Sequence, residues 1–297
     1  MSKISVKFFA VFFISLILST VFLVLTSDED NKADTDVMLS DGHLVEYQGE
    51  FNPIMADYAI KLFDRIYQEN FKDSDVYFAL IPNKSRYFLD EKKLYDDFYT
   101  YMKDGLSFAT AIDVYDVLSG YDYYVTDPHL KQEKTIGLVE TLLSQMGGQL
   151  TQTFQENELD FDFYGLYARQ CGREMSPDRI VYLENDLINS LEVSGADAIY
   201  DFKKLEGDDP YEFYLSGNQS VVTIKNDKAE SDKRLVIFRD SFACPIAPLL
   251  SESYSEVVLV DLRYIMSDLV VQYVDFENAD VLFLYSELLL NNSMSMK

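Results

Sequence analysis

The chain has 297 residues, of which 48% are hydrophobic and 14% aromatic, and its net charge is −26. This apolar content is enough to bury a core, so a wholly disordered chain is excluded. The strong negative charge argues against nucleic acid or anionic lipid as a partner, because phosphate binding needs clustered lysine and arginine. The two cysteines are too few for a disulfide framework or a four-cysteine metal site. We predict no cofactor and no metal site.

The N-terminal part contains an uncharged apolar run, residues 8–26, with Lys3 and Lys7 before it and an acidic stretch after it. The run is close to the ~20 residues that a membrane-spanning helix needs. It exceeds the ~7–15-residue apolar region of a cleavable signal peptide. Lysines before the run and acids after it place the N-terminus in the cytoplasm and everything from about Ser27 outside. The alternative, a long signal peptide cleaved near residues 19–20, leaves the same part outside the cytoplasm.

Three segments are therefore expected along the chain. Residues 1–26 form a single-pass membrane anchor, residues 27–45 form an acidic stalk, and residues 46–297 form one folded domain. The stalk is predicted because residues 27–42 are acidic and have no apolar period. His43 follows directly and is interpreted as an exposed loop residue.

The first half of the folded domain alternates helical and strand patterns. Apolar residues recur at helical spacing in FNPIMADYAIKLFDRIYQENF, with a predicted helix start near Asn52. Proline ends the strand pattern VYFALIP (76–82), and glycine ends the later amphipathic helix TIGLVETLLSQMG (135–147). Between them we predict a helix in EKKLYDDFYTYM (91–102) and a strand in ATAIDVY (109–115).

The second half becomes regular after residues 150–220, which are rich in aromatic and acidic residues and should mix short strands with loops. Strands are predicted for RLVIF (234–238), EVVLVD (256–261) and DVLFLY (280–285), and a helix for YIMSDLVVQYV (264–274). Apolar strands that alternate with helices over short connections indicate a parallel sheet covered by helices. The predicted fold class is α/β.

Two short motifs carry complementary chemistry. Ser241 follows RLVIF at a strand-to-helix turn, where a hydroxyl can face a cleft at the carboxyl end of the sheet. Asp127 and His129 lie together in TDPH. A serine nucleophile needs a base, and a basic histidine needs a carboxylate to hold its tautomer. Each motif alone is also typical of a helix cap or a turn. Of the two histidines, only His129 lies next to a predicted sheet element, so we prefer it to His43.

The segment IDVYDVLSGYDYYVTDPH (112–129) resembles the DHHW family of bacterial exported proteins, where this stretch typically ends in Thr-Asp-His-His-Trp. Further segments resemble that family in the same order: YFALIPNKS, RIVYLEN, YEFYLSGNQSVVTI, LVIFRDSFACPIAPLLSESYSEVVLVDLRY and DVLFLYS. Together they cover nearly all of the part predicted to lie outside. DHHW proteins are similar to the SGNH-hydrolase-like proteins that O-acetylate exported polysaccharides such as alginate. The resemblance implies an SGNH-hydrolase-like, flavodoxin-like fold.

The resemblance also implies roles for the three residues: Ser241 as nucleophile, His129 as general base and acid, and Asp127 as its orienting partner. In those polysaccharide proteins the Asp-x-His pair precedes the serine, as it does here. The implied activity is that of an extracytoplasmic serine-dependent O-acetyltransferase or acetylesterase acting on a cell-surface polysaccharide. The implied partners are the glycan acceptor and a membrane-bound O-acyltransferase that supplies acetyl groups.

Oxyanion and substrate contacts are predicted at the same edge of the sheet. The backbone N–H of Ser241 is the first candidate donor. Gly217 and Asn218 of LSGNQ could supply another, although a plain turn is the alternative use of this pair. Ser286 lies at a strand end where the expected oxyanion asparagine has no clear counterpart. Arg263 follows another strand end, where it could contact substrate or pair with the nearby aspartate.

Three positions depart from the family pattern. Pro128 stands in place of its first histidine, Leu130 in place of its tryptophan, and Arg239 in place of the glycine of Gly-Asp-Ser. These departures leave an alternative function: a catalytically inactive glycan-binding or assembly factor of the cell envelope with the same fold. The retained Asp-x-His and Asp-Ser motifs, in the expected order, favour the enzyme.

Other residues near the strand ends receive structural interpretations. Cys244 has no basic neighbour in the sequence and is predicted to be a core thiol. Lys84, which follows the first strand of the predicted sheet, is expected to be solvated. Tyr123 and Tyr124 could line a carbohydrate groove, but in so aromatic a chain we interpret them as core and rim residues.

Overall fold

The computed structural model describes residues 37–90 and 92–297. Its strands, in chain order, are β1 (Val37–Ser40), β2 (His43–Glu46), β3 (Val76–Ile81), β4 (Thr110–Ile112), β5 (Gln155–Glu158), β6 (Val181–Glu184), β7 (Glu192–Ser194), β8 (Val221–Lys225), β9 (Arg234–Arg239), β10 (Glu256–Val260) and β11 (Ala279–Ser286). Its α-helices are α1 (Pro53–Asn70), α2 (Ser85–Phe88), α3 (Lys92–Gly105), α4 (Ile136–Gln145), α5 (Leu166–Cys171), α6 (Ala247–Leu250) and α7 (Glu287–Leu290).

The central sheet has seven strands in the order β4, β3, β11, β9, β10, β8 and β7. The first five of these run parallel, whereas β8 and β7 continue the sheet in antiparallel fashion. The predicted α/β sheet is therefore confirmed, but its β8–β7 edge is not parallel. The chain between β7 and β8 is made of loops and 3₁₀ turns, whereas a parallel neighbour requires a crossover connection that is usually a helix.

Helices cover both faces of the sheet, as strand β9 illustrates. Leu235 and Ile237 point into the core layer that includes α4. Val236 and Phe238 point into the opposite layer, which includes α1 and α3. All four side chains are completely buried. The continuous apolar run of RLVIF therefore follows from burial on both faces, as expected for a central parallel strand.

The first predicted helix begins where its capping signal lies. The Asn52 side chain accepts a hydrogen bond from the backbone N–H of Met55 at 3.3 Å, and Pro53 occupies the first turn. Asparagine satisfies a free N–H there, and proline loses no hydrogen bond at that position. The predicted helices α3 and α4 and strands β3, β4, β9, β10 and β11 are also present, although β4 is shorter than predicted.

The predicted helix over residues 264–274 was wrong, because only a 3₁₀ turn, Ser267–Gln272, forms there. Leu269, Val271 and Tyr273 are all exposed, so the apolar side chains of this segment do not share one buried face. Valine and tyrosine also lose side-chain freedom in a helix. Without a buried stripe, the segment lacks the packing that stabilises most helices in proteins.

The predicted stalk boundary at residue 45 was also wrong. Strands β1 and β2 form a hairpin that belongs to the folded domain, and Val37 and Leu44 pack in a small cluster with Tyr167. The backbone N–H of Leu44 donates to the carbonyl of Val125 at 3.0 Å. His43, predicted to be exposed, is buried and stacks on a phenylalanine ring at 4.4 Å. Strands of four residues are too short to show a clear alternation beside acidic residues.

The predicted membrane anchor and the first part of the predicted stalk lie outside the described residues, so both stay predictions. Across residues 37–90 and 92–297, none of the helices is long and apolar enough to span a bilayer. The expected extracytoplasmic location of the domain therefore continues to rest on the sequence.

Candidate active site

Ser241, His129 and Asp127 lie side by side at the carboxyl edge of the sheet. His129 Nε2 is 2.8 Å from Ser241 Oγ, and His129 Nδ1 is 2.6 Å from Asp127 Oδ1. Asp127 is completely buried, His129 is 7% exposed, and Ser241 is half-buried. With its Nδ1–H donating to the carboxylate, the imidazole leaves Nε2 free to accept the serine proton. The structure thus brings together the three residues that the sequence singled out.

Asp127 and His129 lie in a tight loop between β4 and α4. Tyr123 and Leu130 form an isolated antiparallel bridge at its base, and the Tyr124 N–H donates to the His129 carbonyl at 3.0 Å. Leu130 is completely buried in the core. The leucine that replaces the family tryptophan is therefore a packing residue that closes the loop.

The Asp127 carboxylate is held by three hydrogen bonds. Oδ1 accepts from the His129 ring and from the His129 backbone N–H at 3.0 Å, and Oδ2 accepts from the Leu166 N–H at 2.7 Å. Burial raises the pKa of this carboxyl, but the charge of His129 and the hydrogen bonds together lower that pKa below its usual value. The carboxylate therefore stays ionised, as an orienting partner of histidine must.

Gly165 allows the segment before α5 to approach this loop closely. A Cβ at this position would lie 2.2 Å from the Asp127 Cβ and 2.6 Å from the Thr126 carbonyl oxygen. The Gly165 N–H donates to Thr126 Oγ1 at 2.9 Å. The glycine is needed here for backbone proximity, since any side chain would push Leu166 away from the carboxylate.

Asp178 fixes the same loop from the other side, and the sequence analysis missed it. Its carboxylate accepts hydrogen bonds from the Val125 N–H at 2.8 Å, the Thr126 N–H at 2.8 Å and the Thr126 hydroxyl at 2.6 Å. The side chain is buried, so these bonds are protected from water. No signal in the sequence marks this residue, because an aspartate in a loop before a strand is ordinary.

Lys84 was predicted to be solvated, and that prediction was wrong. Its side chain is 1% exposed, and its ammonium donates hydrogen bonds to backbone carbonyls of the loop that carries Asp127 and His129. A lysine that follows a strand end is usually solvated, but this one is surrounded by backbone oxygens that compensate its charge.

Tyr211 packs flat against the His129 ring and was also missed from the sequence. The two ring centroids are 3.8 Å apart with an interplanar angle of 10°, and Phe242 contacts the same imidazole at 4.8 Å. The stacking holds the imidazole in the orientation that keeps its hydrogen bonds to Asp127 and Ser241.

The turn that carries Ser241 is organised by Asp240. One carboxylate oxygen of Asp240 accepts from the Phe242 N–H at 3.0 Å. The other accepts from the Ser286 N–H at 2.8 Å and the Ser286 hydroxyl at 2.6 Å. The Ser286 hydroxyl also accepts from the Leu289 N–H at 3.3 Å. The proposed oxyanion residue Ser286 therefore already has structural partners for its hydroxyl.

Arg239 and Arg263 share one buried carboxylate, that of Asp261. Arg263 donates to it through Nε at 2.9 Å and Nη2 at 2.6 Å, and Arg239 Nη1 lies 3.4 Å from it. Arg239 and Asp261 are completely buried. Arg263 therefore pairs with the nearby aspartate, which is the second of the two roles considered for it. Arg239, which stands where the family pattern has glycine, is accommodated beneath the serine turn.

Gly217 and Asn218 form a turn at the edge of the same region. The Gly217 N–H donates to the Tyr214 carbonyl at 3.1 Å, and Gly217 has φ +82, which favours glycine. Asn218 is exposed, and its side-chain oxygen accepts from Arg263 at 3.3 Å. Because the Gly217 N–H has a partner within the turn, the structure agrees better with the turn interpretation than with an oxyanion donor.

The remaining predictions concern buried residues. Cys244 is buried, as predicted, and burial raises the pKa of its thiol. Both cysteines are free, and Cys171 is half-buried. The Sγ of Cys244 does have a basic neighbour, Arg239 at 3.5 Å. Tyr123 and Tyr124 are completely buried and belong to the core. They are therefore core residues and do not line a groove.

No protein-family model and no curated protein matches the chain. Solved structures match it in fold. A DHHW family protein from Eubacterium siraeum is 17% identical, with 87% of this chain and 93% of that chain covered and a TM-score of 0.71. Bacillus cereus PatB1 is 17% identical, with 86% and 97% covered and a TM-score of 0.67. The O-acetyltransferase domain of Pseudomonas putida AlgJ is 13% identical, with 86% and 92% covered and a TM-score of 0.51.

These likenesses establish the fold class. The chain has the mixed α/β fold of these proteins over most of its length, with helices on both faces of a largely parallel sheet. The resemblance to the DHHW family, first drawn from the order of the motifs, is confirmed at the level of the fold.

Proposed function

We propose that this protein is an extracytoplasmic serine-dependent O-acetyltransferase or acetylesterase that acts on a cell-surface polysaccharide. The observation that carries the proposal is the continuous hydrogen-bonded chain from Ser241 through His129 to Asp127, at 2.8 Å and 2.6 Å. A serine hydroxyl in contact with an oriented imidazole is the arrangement that acyl transfer requires.

In the proposed first half-reaction, Ser241 Oγ attacks the carbonyl carbon of an acetyl ester while His129 Nε2 takes its proton. The negative charge then develops on the former carbonyl oxygen, and the backbone N–H of Ser241 is the proposed donor to it. The intermediate collapses as the carbon–oxygen bond to the leaving group breaks and His129 returns the proton to that group. The product is an acetyl ester of Ser241.

In the second half-reaction, a sugar hydroxyl or a water molecule gives its proton to His129 and attacks the acetyl-serine. The bond to Ser241 Oγ breaks, and His129 returns the proton to the serine. Transfer and hydrolysis use the same three residues and differ only in the acceptor. The glycan acceptor and a membrane-bound O-acyltransferase as the source of acetyl groups follow from the resemblance to polysaccharide O-acetylation proteins.

The shared fold supports this proposal. AlgJ is described as containing an O-acetyltransferase domain, and PatB1 has been solved with a sulfonyl adduct. Two of the departures from the family pattern also fit an active site in this chain: Leu130 is buried in the core, and Arg239 pairs with Asp261. With Pro128 between them, Asp127 and His129 are still in hydrogen-bonding contact. These positions therefore give little support to an inactive protein.

The test uses the full chain purified in detergent and treated with p-nitrophenyl acetate. We expect intact mass to show one added acetyl group that is absent in Ser241→Ala. We expect His129→Ala to acylate roughly 10²–10⁴-fold more slowly, the usual contribution of a general base. Ser190→Ala, which removes an exposed hydroxyl bonded only to a local carbonyl, is the matched control and should react like wild type.

The opposite result is equally informative. A folded wild-type protein that gains no acetyl group and releases p-nitrophenol no faster than Ser241→Ala would contradict acyl transfer. The catalytically inactive glycan-binding or assembly factor would then be the better hypothesis. An adduct that persists in Ser241→Ala would assign the reactivity to another residue.

A further inference from the structure

Lys84 follows β3 directly, and its side chain extends beneath the loop of the candidate acid–base pair. Its Nζ donates to the carbonyl oxygens of Tyr124 at 2.7 Å, Val125 at 3.1 Å and Asp127 at 3.0 Å. An ammonium group has three protons, and these three acceptors can take all of them. The carbonyl of Asp127 itself is among them, so the lysine contacts the backbone of the orienting carboxylate.

The loop is thereby held between two buried opposite charges. Its carbonyl groups converge on the Lys84 ammonium, whereas its N–H groups at Val125 and Thr126 converge on the Asp178 carboxylate. Hydrogen bonds to charged groups are about twice as strong as those between neutral groups. This arrangement fixes both the position and the tilt of the peptide planes that lead into Asp127.

We propose that Lys84 is a positioning residue for the acid–base half of the site. Its ammonium holds the backbone from which Asp127 reaches His129, and its positive charge favours the ionised carboxylate. This inference rests on the proposed function of the triad, but its geometric part can be tested without catalysis.

The charge of Lys84 is balanced by several groups around it. Burial lowers the pKa of Lys84 to about 7, while Asp127 and Asp178 oppose that change and Lys131 adds to it. The ring of Tyr167 lies 5.4 Å from Nζ in cation–π geometry. The surrounding carboxylates and carbonyl oxygens therefore compensate in part for the loss of water around the ammonium.

His43 on β2 is a further titratable neighbour on an adjacent element. Burial lowers its pKa, and Lys84 lowers it further. Because the chain has only His43 and His129, their imidazole signals can be followed individually by NMR after histidine labelling. The spectrum of His129→Ala contains only the His43 signal and so assigns both.

Two variants separate the hydrogen bonds of Lys84 from its charge. Lys84→Met keeps most of the length of the side chain but removes the charge and all donors. Lys84→Arg keeps the charge, but a planar guanidinium cannot match three convergent carbonyls as an ammonium does. Lys228→Met is the matched control. This exposed lysine also donates to a backbone carbonyl, at 3.2 Å. It follows β8, which runs antiparallel to β10 and so ends on the side of the sheet away from the candidate site.

We expect Lys84→Met, as full-length protein, to acylate Ser241 roughly 10–100-fold more slowly. The acidic limb of its pH–rate profile and the NMR titration of the Asp127–His129 pair should both move to higher pH. The sign follows because loss of a cation beside Asp127 makes protonation of the Asp127–His129 pair easier. Lys84→Arg should lower the rate but leave the titration in place, and Lys228→Met should change neither.

A folded Lys84→Met protein with the wild-type rate and titration would overturn this inference. If Lys84→Met does not fold, Lys84→Arg decides the question, since an unchanged acylation rate there would contradict the geometric role. A wild-type protein without any Ser241 adduct would contradict the proposed function, and the NMR titration of the Asp127–His129 pair in Lys84→Met would then decide the role of Lys84 independently.

Discussion

The loop that carries Asp127 and His129 and the turn that carries Ser241 lie at the same edge of the sheet, but they are held in different ways. The serine turn follows β9 directly, and Asp240 joins it to Ser286 at the end of the neighbouring strand β11. The acid–base loop is held by Lys84, Asp178 and the segment at Gly165, which come from three separate parts of the chain.

This difference shows where the site is most easily damaged. Strand pairing fixes the serine turn, because the register of β9 and β11 already brings Asp240 close to Ser286. Asp240 is itself part of the serine turn, whereas the acid–base loop depends on buried charged side chains from distant parts of the chain, Lys84 and Asp178. Removal of one partner leaves buried donors or acceptors unsatisfied, at about 1–3 kcal/mol each and more where charge is involved. Substitutions around the loop should therefore lower activity more than substitutions around the turn.

Among substitutions outside the triad, the largest effect is expected for Asp178→Asn. The amide retains one acceptor oxygen but places an NH₂ group against backbone donors, so at least one buried N–H loses its partner. We expect the free energy of unfolding to fall by about 2–3 kcal/mol and the acylation rate of Ser241 to fall about 100-fold, within the range attributed to misplaced catalytic groups. Denaturant unfolding and p-nitrophenyl acetate kinetics measure the two.

Asp162→Asn is its control, because Asp162 forms an exposed ion pair with Arg179 at 3.0 Å. Surface pairs of this kind contribute at most about 1 kcal/mol. If Asp178→Asn were as active and stable as Asp162→Asn, the acid–base loop would not depend on the buried carboxylate of Asp178. The contrast between the acid–base loop and the serine turn would then be wrong.

A smaller effect is expected for Ser286→Ala. The variant loses the hydroxyl bond to Asp240 but keeps the backbone N–H bond to the same carboxylate. We expect a loss of about 1 kcal/mol in stability and less than tenfold in acylation rate. The same measurement sharpens the oxyanion assignment, because loss of a true oxyanion donor lowers the rate by about 10²–10³. A loss of that size would show that Ser286 acts as an oxyanion donor.

Glu287→Gln should have the smallest effect on acylation, although Glu287 lies between the acid–base loop and the serine turn. Its buried carboxyl accepts from the Asn83 N–H at 2.8 Å, next to Lys84, and from the Tyr115 hydroxyl. Burial raises the pKa of Glu287 to about 8. The folded protein thus binds this proton more tightly than the unfolded chain, whose glutamate has a pKa of about 4.3.

The resulting stabilisation is fully present below about pH 4.3 and is lost as pH rises through the folded pKa of about 8. Urea unfolding of wild type and Glu287→Gln at pH 5 and pH 8 tests this sign. Relative to wild type, the variant should become more stable at the higher pH. Glu277→Gln, at an exposed position, should show no such trend. Parallel curves for wild type and Glu287→Gln would show that this carboxyl titrates normally.

Much of the fold could be predicted because long apolar runs bounded by turn residues are unambiguous. Strands β3, β9, β10 and β11 have such runs, and α1 has both its apolar spacing and its Asn52 cap. The β1–β2 hairpin could not be predicted, because its short strands are stabilised by contacts with Val125 and Tyr167 far along the chain. The segment over 264–274 misled for the opposite reason: it is apolar, but Leu269, Val271 and Tyr273 stay exposed.

The candidate site, too, could be predicted from the sequence only in part. Ser241, His129 and Asp127 could be selected because their side chains have complementary chemistry and occur in a recognisable order. Lys84 and Asp178 could not, because each binds mainly backbone groups of the loop, which every sequence provides. Tyr211 could not be distinguished among 22 tyrosines, since its stacking on His129 depends on tertiary structure.

The residues that assemble the candidate site lie far apart in the sequence, and this has a consequence for how the protein folds. His129 and Ser241 are 112 residues apart, Thr126 and Asp178 are 52 apart, and Lys84 and Asp127 are 43 apart. Contacts of this kind close long loops and form slowly, because chain entropy is lost before the contacts stabilise the structure. Until they form, Ser241 is an ordinary alcohol without a base, so a partly folded chain carries no activated nucleophile. Reactivity of Ser241 is in that sense a signal that folding is complete.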